Sequence, residues 1–84
     1  MRVLIVDDEK LARDRLRELL SDIGGYTVIG EAMNGAEAVE RTSELNPDVL
    51  LMDIRMPGMD GLEAAMHLMG MEHPPSVIFT TAYD

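Results

Sequence analysis

Cysteine is absent from this 84-residue chain, so it offers neither a disulfide framework nor a thiolate metal site. Long apolar runs are absent too, and the longest is far too short to cross a bilayer. Acidic residues interrupt the apolar start of the chain at Asp7 and Asp8, which argues against a secretory signal there. We therefore expect no membrane partner and predict a cytoplasmic location, with which the lack of cysteine is compatible.

Basic residues are scarce, with seven Lys and Arg against sixteen Asp and Glu and a formal net charge of −9. Because DNA affinity depends largely on neutralising phosphates with basic side chains, we expect no direct nucleic-acid contact by this segment. A cation or a basic protein surface is the expected attraction. The length allows one small domain over residues 1–84, and no linker or low-complexity stretch divides it.

Four apolar runs are strand candidates. Three of them, residues 3–6, 49–52 and 77–79, lack period-two alternation, which is typical of strands covered on both faces of a parallel sheet. A more polar run at 26–32 suits an edge strand. Helical patterns lie between the runs, so the order is βαβαβαβ. This order predicts an α/β fold with a parallel sheet and right-handed crossovers.

Apolar spacing also predicts which helix faces are buried. The first helix is predicted to bury a stripe formed by Ala12, Leu16, Leu19, Leu20 and Ile23. The third helix is predicted to bury Leu62, Ala65, Met66 and Met69, so that Met66 and Met69 belong to the core. The basic cluster of the first helix is predicted to be a solvent-exposed face; it consists of Arg13, Arg15 and Arg17.

Acidic residues follow two of the predicted strands. Asp7 and Asp8 come directly after the first strand, and Asp53 follows the third. Ligands of open parallel sheets bind at the carboxyl edge, where the winding reverses, so neighbouring strands would bring the three carboxylates together there. Such carboxylates raise one another's pKa, and a hard cation, Mg²⁺ or Mn²⁺, relieves the repulsion. One Asp is then able to attack phosphorus as a nucleophile. The alternative, that these acids only cap helices or turns, suits Asp8 alone better than all three.

The loop after Asp53 contains Pro57, Gly58 and Gly61. Proline restricts one φ angle, and glycine permits conformations closed to other residues. A rigid turn of this kind would redirect the chain into the third helix and present backbone carbonyls to a metal. An ordinary strand-to-helix loop with Asp60 near the N-cap is the alternative, and the two interpretations are compatible.

Three motifs together resemble the receiver domain of bacterial two-component response regulators: Val-Asp-Asp-Glu at 6–9, Asp-Ile-Arg-Met-Pro-Gly-Met-Asp-Gly at 53–61 and Thr-Thr-Ala at 80–82. Residues 4–9, 11–13 and 81–84 resemble, more narrowly, the LytR/AlgR group of DNA-binding regulators. The similarity covers essentially the whole chain. It implies a flavodoxin-like open sheet of order 2-1-3-4-5 and a signalling phosphoacceptor rather than an enzyme. Such a module promotes its own phosphorylation by a histidine kinase and controls transcription through a DNA-binding output domain.

The resemblance also assigns site residues. Asp53 is implied to be the phosphoacceptor. The implied Mg²⁺ ligands are Asp7 (directly or through water), Asp8, Asp53 and the backbone carbonyl of Arg55. The hydroxyl of Thr81 is implied to turn toward the phosphoryl group, which the backbone N–H of Ala82 helps to hold.

The chain departs from the family pattern at its carboxyl end. A receiver normally adds a fifth strand, which carries a catalytic lysine, and two further helices, whereas this sequence ends at Asp84 and its single lysine is Lys10. We therefore expect a truncated order 2-1-3-4, no catalytic lysine, no effector domain and weakened phosphorylation. Residues 77–81 would form an uncharged edge without proline, so we also expect self-association.

Two other functions compete with this prediction. One is a non-switching interaction or dimerisation fragment, which the missing lysine strand favours. The other is a phosphatase of the haloacid-dehalogenase type, which places an Asp nucleophile after a strand. Such phosphatases use Asp-x-Asp, whereas Ile54-Arg55 follows Asp53 here. A dinucleotide-binding domain would need a glycine-rich turn after the first strand, where this chain has Asp-Asp-Glu.

Overall fold

The computed structural model describes residues 1–80 of the chain. Its elements alternate as the sequence predicts: β1 (Arg2–Val6), α1 (Lys10–Ile23), β2 (Thr27–Ala32), α2 (Gly35–Leu45), β3 (Val49–Asp53), α3 (Gly61–Met69) and β4 (Ser76–Thr80). Among these residues, none of the three helices has the length and hydropathy that crossing a bilayer requires.

The four strands form one parallel sheet in the order β2-β1-β3-β4, which confirms the flavodoxin-like arrangement. β1 and β3 are neighbours, with Val3 opposite Val49 and Val6 opposite Met52. Because the strands are parallel and in this register, the carboxyl ends of β1 and β3 lie side by side. The chain winds to opposite sides of β1 here, which is the position where such sheets bind ligands.

The core lies on both faces of the sheet, and the two faces are unequal. One face is covered by α2 and α3 and contains Leu4, Val6, Leu50, Met52, Ala38, Ala64 and Leu68, all fully buried. The other is covered, within residues 1–80, by α1 and contains Val3, Ile5, Leu20 and Val49. The apolar runs of β1 and β3 are thus buried because they have helices on both sides. The prediction that residues 77–79 are covered on both faces is wrong for the described part of the chain, since Ile78 and Phe79 of β4 are 54% and 36% exposed.

The buried face of α3 differs from the predicted one. Met66 and Met69 are 74% and 75% exposed, so the prediction that they belong to the core is wrong. The buried residues are instead Gly61, Ala64 and Leu68, one position away from the predicted stripe. Both sets have helical spacing, so periodicity alone does not separate them. The first turn of α3 determines which set is buried, because Gly61 lies against the backbone of Asp53 and Ile54.

The faces of α1 also differ from the prediction. Of its apolar stripe, Leu20 is buried and Leu16 is partly buried, but Leu19 and Ile23 are exposed. The prediction that the arginines are all solvent-exposed is wrong for Arg13, whose side chain is only 12% exposed. The reason is a carboxylate on β2, described below.

Candidate functional site

The structure brings the three acids together at the carboxyl edge of the sheet. Carboxylate oxygens of Asp7, Asp8 and Asp53 all lie within 4.8 Å of one another. Asp7 and Asp53 are buried, whereas Asp8 is exposed. The predicted convergence follows directly from the adjacency of β1 and β3. The cluster offers hard oxygen ligands of the kind that Mg²⁺ prefers.

Asp7 is held by hydrogen bonds on three sides. Its N–H donates to the carbonyl of Ala32 at 3.0 Å, which extends the pairing of β1 with β2. Its carboxylate Oδ1 accepts from the N–H of Glu9 at 2.9 Å. Its own carbonyl accepts from Arg13 Nη1 at 2.8 Å. The loop from β1 to α1 is therefore short and well anchored.

Burial and charge act together on Asp7. Burial raises the pKa of its carboxyl group most, and the hydrogen bond from the Glu9 N–H works in the opposite direction. The charges of Asp53 and then Asp8 raise this pKa further. Keeping Asp7 ionised therefore costs free energy in the folded protein, and a bound divalent cation would reduce that cost.

The loop between β3 and α3 is held mostly by short-range contacts. The N–H of Gly61 donates to the carbonyl of Ile54 at 2.8 Å, which closes the loop on itself. Asp60 caps α3, since its Oδ1 accepts from the N–H of Glu63 at 2.9 Å. Gly58 has a φ of 75°, a conformation that favours glycine. The rigid turn and the N-cap predicted from sequence are both present.

A close approach explains why residue 61 is glycine. An added Cβ there would lie 2.3 Å from the carbonyl oxygen of Asp53 and 2.9 Å from Ile54 Cα. Both neighbours are backbone atoms, so neither is able to move aside as a flexible side chain would. The start of α3 is thus placed directly against the strand end that carries Asp53.

The remaining predicted site residues are placed as follows. The N–H of Arg55 lies 3.4 Å from Asp53 Oδ1, while the role of its carbonyl as a metal ligand stays a prediction. Thr81 and Ala82 lie outside the described residues, so their roles also stay predictions. Lys10, the single lysine of the chain, pairs with Asp14 at 2.9 Å on the exposed surface of α1.

An ion-pair network beside the site was missed by sequence reasoning. Glu31 of β2 binds Arg13 Nε at 2.7 Å through Oε1 and Arg17 Nη2 at 2.7 Å through Oε2. The hydrogen bond from Arg17 and then that from Arg13 hold the pKa of Glu31 below its usual range, against the effect of burial. The available signal was an acid in a strand and two arginines four residues apart, which share a helix face.

Comparisons with known proteins agree with this fold. The sequence model of the family described as "Response regulator receiver domain" matches residues 3–84. The solved signal receiver domain of the putative response regulator NarL from Mycobacterium tuberculosis superposes with a TM-score of 0.90 at 42% identity, covering 99% of this chain and 67% of that one. The chain therefore belongs to the response regulator receiver domain family, a class of signalling module.

Curated relatives indicate which group within the family this sequence resembles. The chain is 54% identical over 85 residues to the "Positive alginate biosynthesis regulatory protein" of Pseudomonas aeruginosa, covering all of this chain and 34% of that protein. It is 45% identical to the "Transcriptional regulatory protein BtsR" of Salmonella typhi, covering all of this chain and 35% of that protein. Within the family, its sequence is thus similar to the LytR/AlgR-type regulators. The chain spans about a third of the length of these relatives.

Proposed function

We propose that this chain is the phosphoacceptor module of a two-component response regulator and that Asp53 receives the phosphoryl group. The observation that carries the proposal is the cluster of Asp7, Asp8 and Asp53 at two neighbouring strand ends. Asp53 is the last residue of β3 and is 9% exposed, so its carboxylate lies at the edge where ligands of such sheets bind. Membership of the receiver family supports the same role.

The donor set fits a hard divalent cation, because three carboxylates whose oxygens lie within 4.8 Å of one another repel unless a positive charge joins them. Mg²⁺ is the proposed ion, with Mn²⁺ as a substitute of similar chemistry. The proposed ligands are Asp7, Asp8, Asp53 and the backbone carbonyl of Arg55. When bound, the ion would supply positive charge that offsets the charge of the phosphoryl oxygens.

In the proposed step, a carboxylate oxygen of Asp53 attacks the phosphorus of a phosphohistidine on a histidine kinase. The new O–P bond forms as the N–P bond breaks, and the electron pair of the N–P bond stays on the imidazole nitrogen. The product on Asp53 is an acyl phosphate. The strand end orients the attacking oxygen, which lowers the entropic part of the barrier. Thr81 and the N–H of Ala82 are proposed to contact the transferred group.

The proposed partners follow from the family and the relatives. A histidine kinase would be the phosphodonor, and phosphorylation would control a DNA-binding output and thereby transcription, as the names of the relatives suggest. Residues 1–84 would act as the receiver domain, in the cytoplasm with the kinase's catalytic part. Self-association stays a prediction, and sedimentation at several protein concentrations checks it.

Phosphorylation of the chain tests the proposal directly. With acetyl phosphate and Mg²⁺, intact mass spectrometry should show one added phosphoryl group, which Asp53→Asn or chelation of the metal should abolish. Asp22→Asn is the matched control, because it removes the same charge at an exposed position outside the cluster and should leave labelling intact. Labelling that persists in Asp53→Asn would refute the assignment.

A further inference from the structure

The side chain of Arg13 connects the carboxylate cluster to the rest of the fold. Its Nη1 donates to the carbonyl of Asp7 at 2.8 Å, and its Nε donates to Glu31 Oε1 at 2.7 Å. The first bond reaches the peptide group that joins Asp7 to Asp8. The orientation of that peptide plane sets the direction in which both acidic side chains leave the backbone.

The start of α1 lacks the support that the other two helices have. Asn34 and Asp60 cap α2 and α3 by accepting hydrogen bonds from backbone N–H groups of the first turn. Glu9, at the N-cap of α1, makes no such side-chain bond. No N-cap side chain therefore helps to fix the loop that carries Asp7 and Asp8. Besides the bonds of Asp7 with Glu9 and Ala32, the guanidinium of Arg13 holds the Asp7 carbonyl from the first turn of the helix.

Glu31 holds the Arg13 guanidinium in place. One carboxylate oxygen accepts from Arg13 and the other accepts two bonds from Arg17, at 3.0 and 2.7 Å. Such charge-assisted bonds are stronger than neutral ones, and the planar guanidinium presents donors in fixed directions. β2, α1 and the β1–α1 loop are thus joined by a single chain of contacts that ends at Asp7.

We propose that Arg13 is a positioning residue for Mg²⁺ binding, which acts by holding the Asp7–Asp8 peptide in the orientation that lets both carboxylates share one cation. This inference rests on the proposed function, since it assumes that the cluster binds metal. Arg13 would contact neither the cation nor the phosphoryl group, and its proposed contribution is geometric.

A simple charge effect of Arg13 predicts the opposite change in Mg²⁺ affinity, so a charge effect and a positioning role are distinguishable. Arg13 is a positive charge next to the carboxylate cluster, so its removal would strengthen cation binding if charge were all that mattered. If Arg13 positions the loop, its removal weakens binding despite the lost repulsion. The sign of the change in Mg²⁺ affinity therefore distinguishes positioning from a simple charge effect.

The test is an Mg²⁺ titration monitored by the NMR shifts of the backbone amides. It is carried out on the wild-type chain, Arg13→Ala, Arg13→Lys and Arg17→Ala. Arg17→Ala is the matched control, because it removes the same charge and a partner of the same Glu31 but no contact with Asp7. We expect Arg13→Ala to bind about tenfold more weakly, as is usual when an outer partner of a metal ligand is lost. Arg17→Ala should stay close to wild type.

Arg13→Lys keeps the charge but cannot present two donors in the same fixed fork, so it should bind Mg²⁺ with intermediate affinity. It also keeps the test decisive if Arg13→Ala fails to fold. A second readout needs no metal: the carbonyl ¹³C resonance of Asp7 should shift in both Arg13 variants and not in Arg17→Ala. A purely structural role for Arg13 would lower stability without this selective change.

The outcomes separate the inference from the function on which it rests. A wild-type chain that shows no shifts at millimolar Mg²⁺ would refute metal binding and the inference with it. A wild-type chain that binds while Arg13→Ala binds equally well or more tightly would refute the inference alone. Equal weakening in Arg13→Ala and Arg17→Ala would also overturn it, because the contact with Asp7 would then have no effect of its own.

Discussion

The two loops that carry the acidic residues are supported in different ways. The β3–α3 loop, residues 54–60, is held mostly by its own neighbours in sequence: the Asp60 cap, the bond from Gly61 to Ile54 and the close contact of Gly61 with Asp53. One long-range bond is added, from the N–H of Gly35 to the carbonyl of Met59 at 3.0 Å. The β1–α1 loop, residues 7–9, has no side-chain N-cap and one local bond, from the N–H of Glu9 to Asp7 Oδ1. Its other side-chain support comes from Arg13, which binds Glu31 eighteen positions away.

The difference shows that one site is supported both by contacts between neighbours in sequence and by contacts between distant segments. Local support forms as soon as its own short segment folds, because the partners are already close together in the chain. Long-range support exists only after β2 has paired with β1 and α1 has packed on the sheet, since ordering distant groups costs conformational entropy first. Four substitutions, taken from the largest expected effect to the smallest, test this comparison.

Gly61→Ala should break the locally supported loop. Its Cβ would overlap the backbone of Asp53 and Ile54, and we expect a loss of about 3 kcal/mol in the free energy of unfolding, measured by chemical denaturation. Gly70→Ala is the control, because its nearest neighbour is 3.4 Å away and its φ is −81°. Equal losses in the two variants would show that the close approach is not what matters.

Glu31→Gln should weaken the long-range support by about 1.5 kcal/mol, since three charge-assisted hydrogen bonds lose their ionised acceptor. Glu40→Gln, in an exposed pair with Arg41 at 3.6 Å, should change the stability little. The pKa of Glu31 is lowered in the fold, so its contribution is present above the ordinary pKa and is lost as the pH falls through the folded value. A wild-type advantage that grows on acidification would contradict this account.

Asp60→Ala should cost about 1 kcal/mol, because the N–H of Glu63 loses its capping acceptor. The comparison is Glu9→Ala at the uncapped start of α1, where no side-chain cap bond exists to lose and thermal unfolding should be nearly unchanged. If the two substitutions had the same effect, the contrast between the two loops would not hold.

Asp7→Asn should raise stability slightly at neutral pH in the absence of metal, with the smallest effect of the four. The folded pKa of Asp7 is raised, mainly by burial, so the ionised form is disfavoured in the fold at pH values above that pKa. As the pH falls through the folded pKa, wild-type Asp7 takes up a proton and the stability advantage of the variant disappears. Unfolding in chelator at several pH values measures this, and a destabilised variant at neutral pH would count against it.

Much of the fold was predictable because its signals are local. The unbroken apolar runs at 3–6 and 49–52 predicted strands covered on both faces, and Gly24-Gly25, Asn34 and Asp60 lie at helix boundaries as expected. The face of α3 was not predictable in this way. Two stripes with the same period compete there, and the one with small residues is buried because Gly61 has to lie against Asp53.

The acid cluster was predictable in part, from the order of elements. Once strands alternate with helices, Asp7 and Asp53 must leave the same edge of a parallel sheet, and the adjacency of β1 and β3 brings them together. The support of that cluster was not predictable, since the sequence shows Arg13 only as one of three arginines on a helix.

What the sequence alone determined is therefore the list of elements, the parallel arrangement of the strands and the sheet edge at which the acidic residues lie. These features depend on residue spacing and short-range backbone chemistry. Tertiary structure decided which face of α3 is buried and which arginine of α1 is drawn in toward Glu31 and Asp7. Both decisions depend on the rotation of a helix about its own axis. Periodicity leaves that rotation open, and only packing against the sheet selects it.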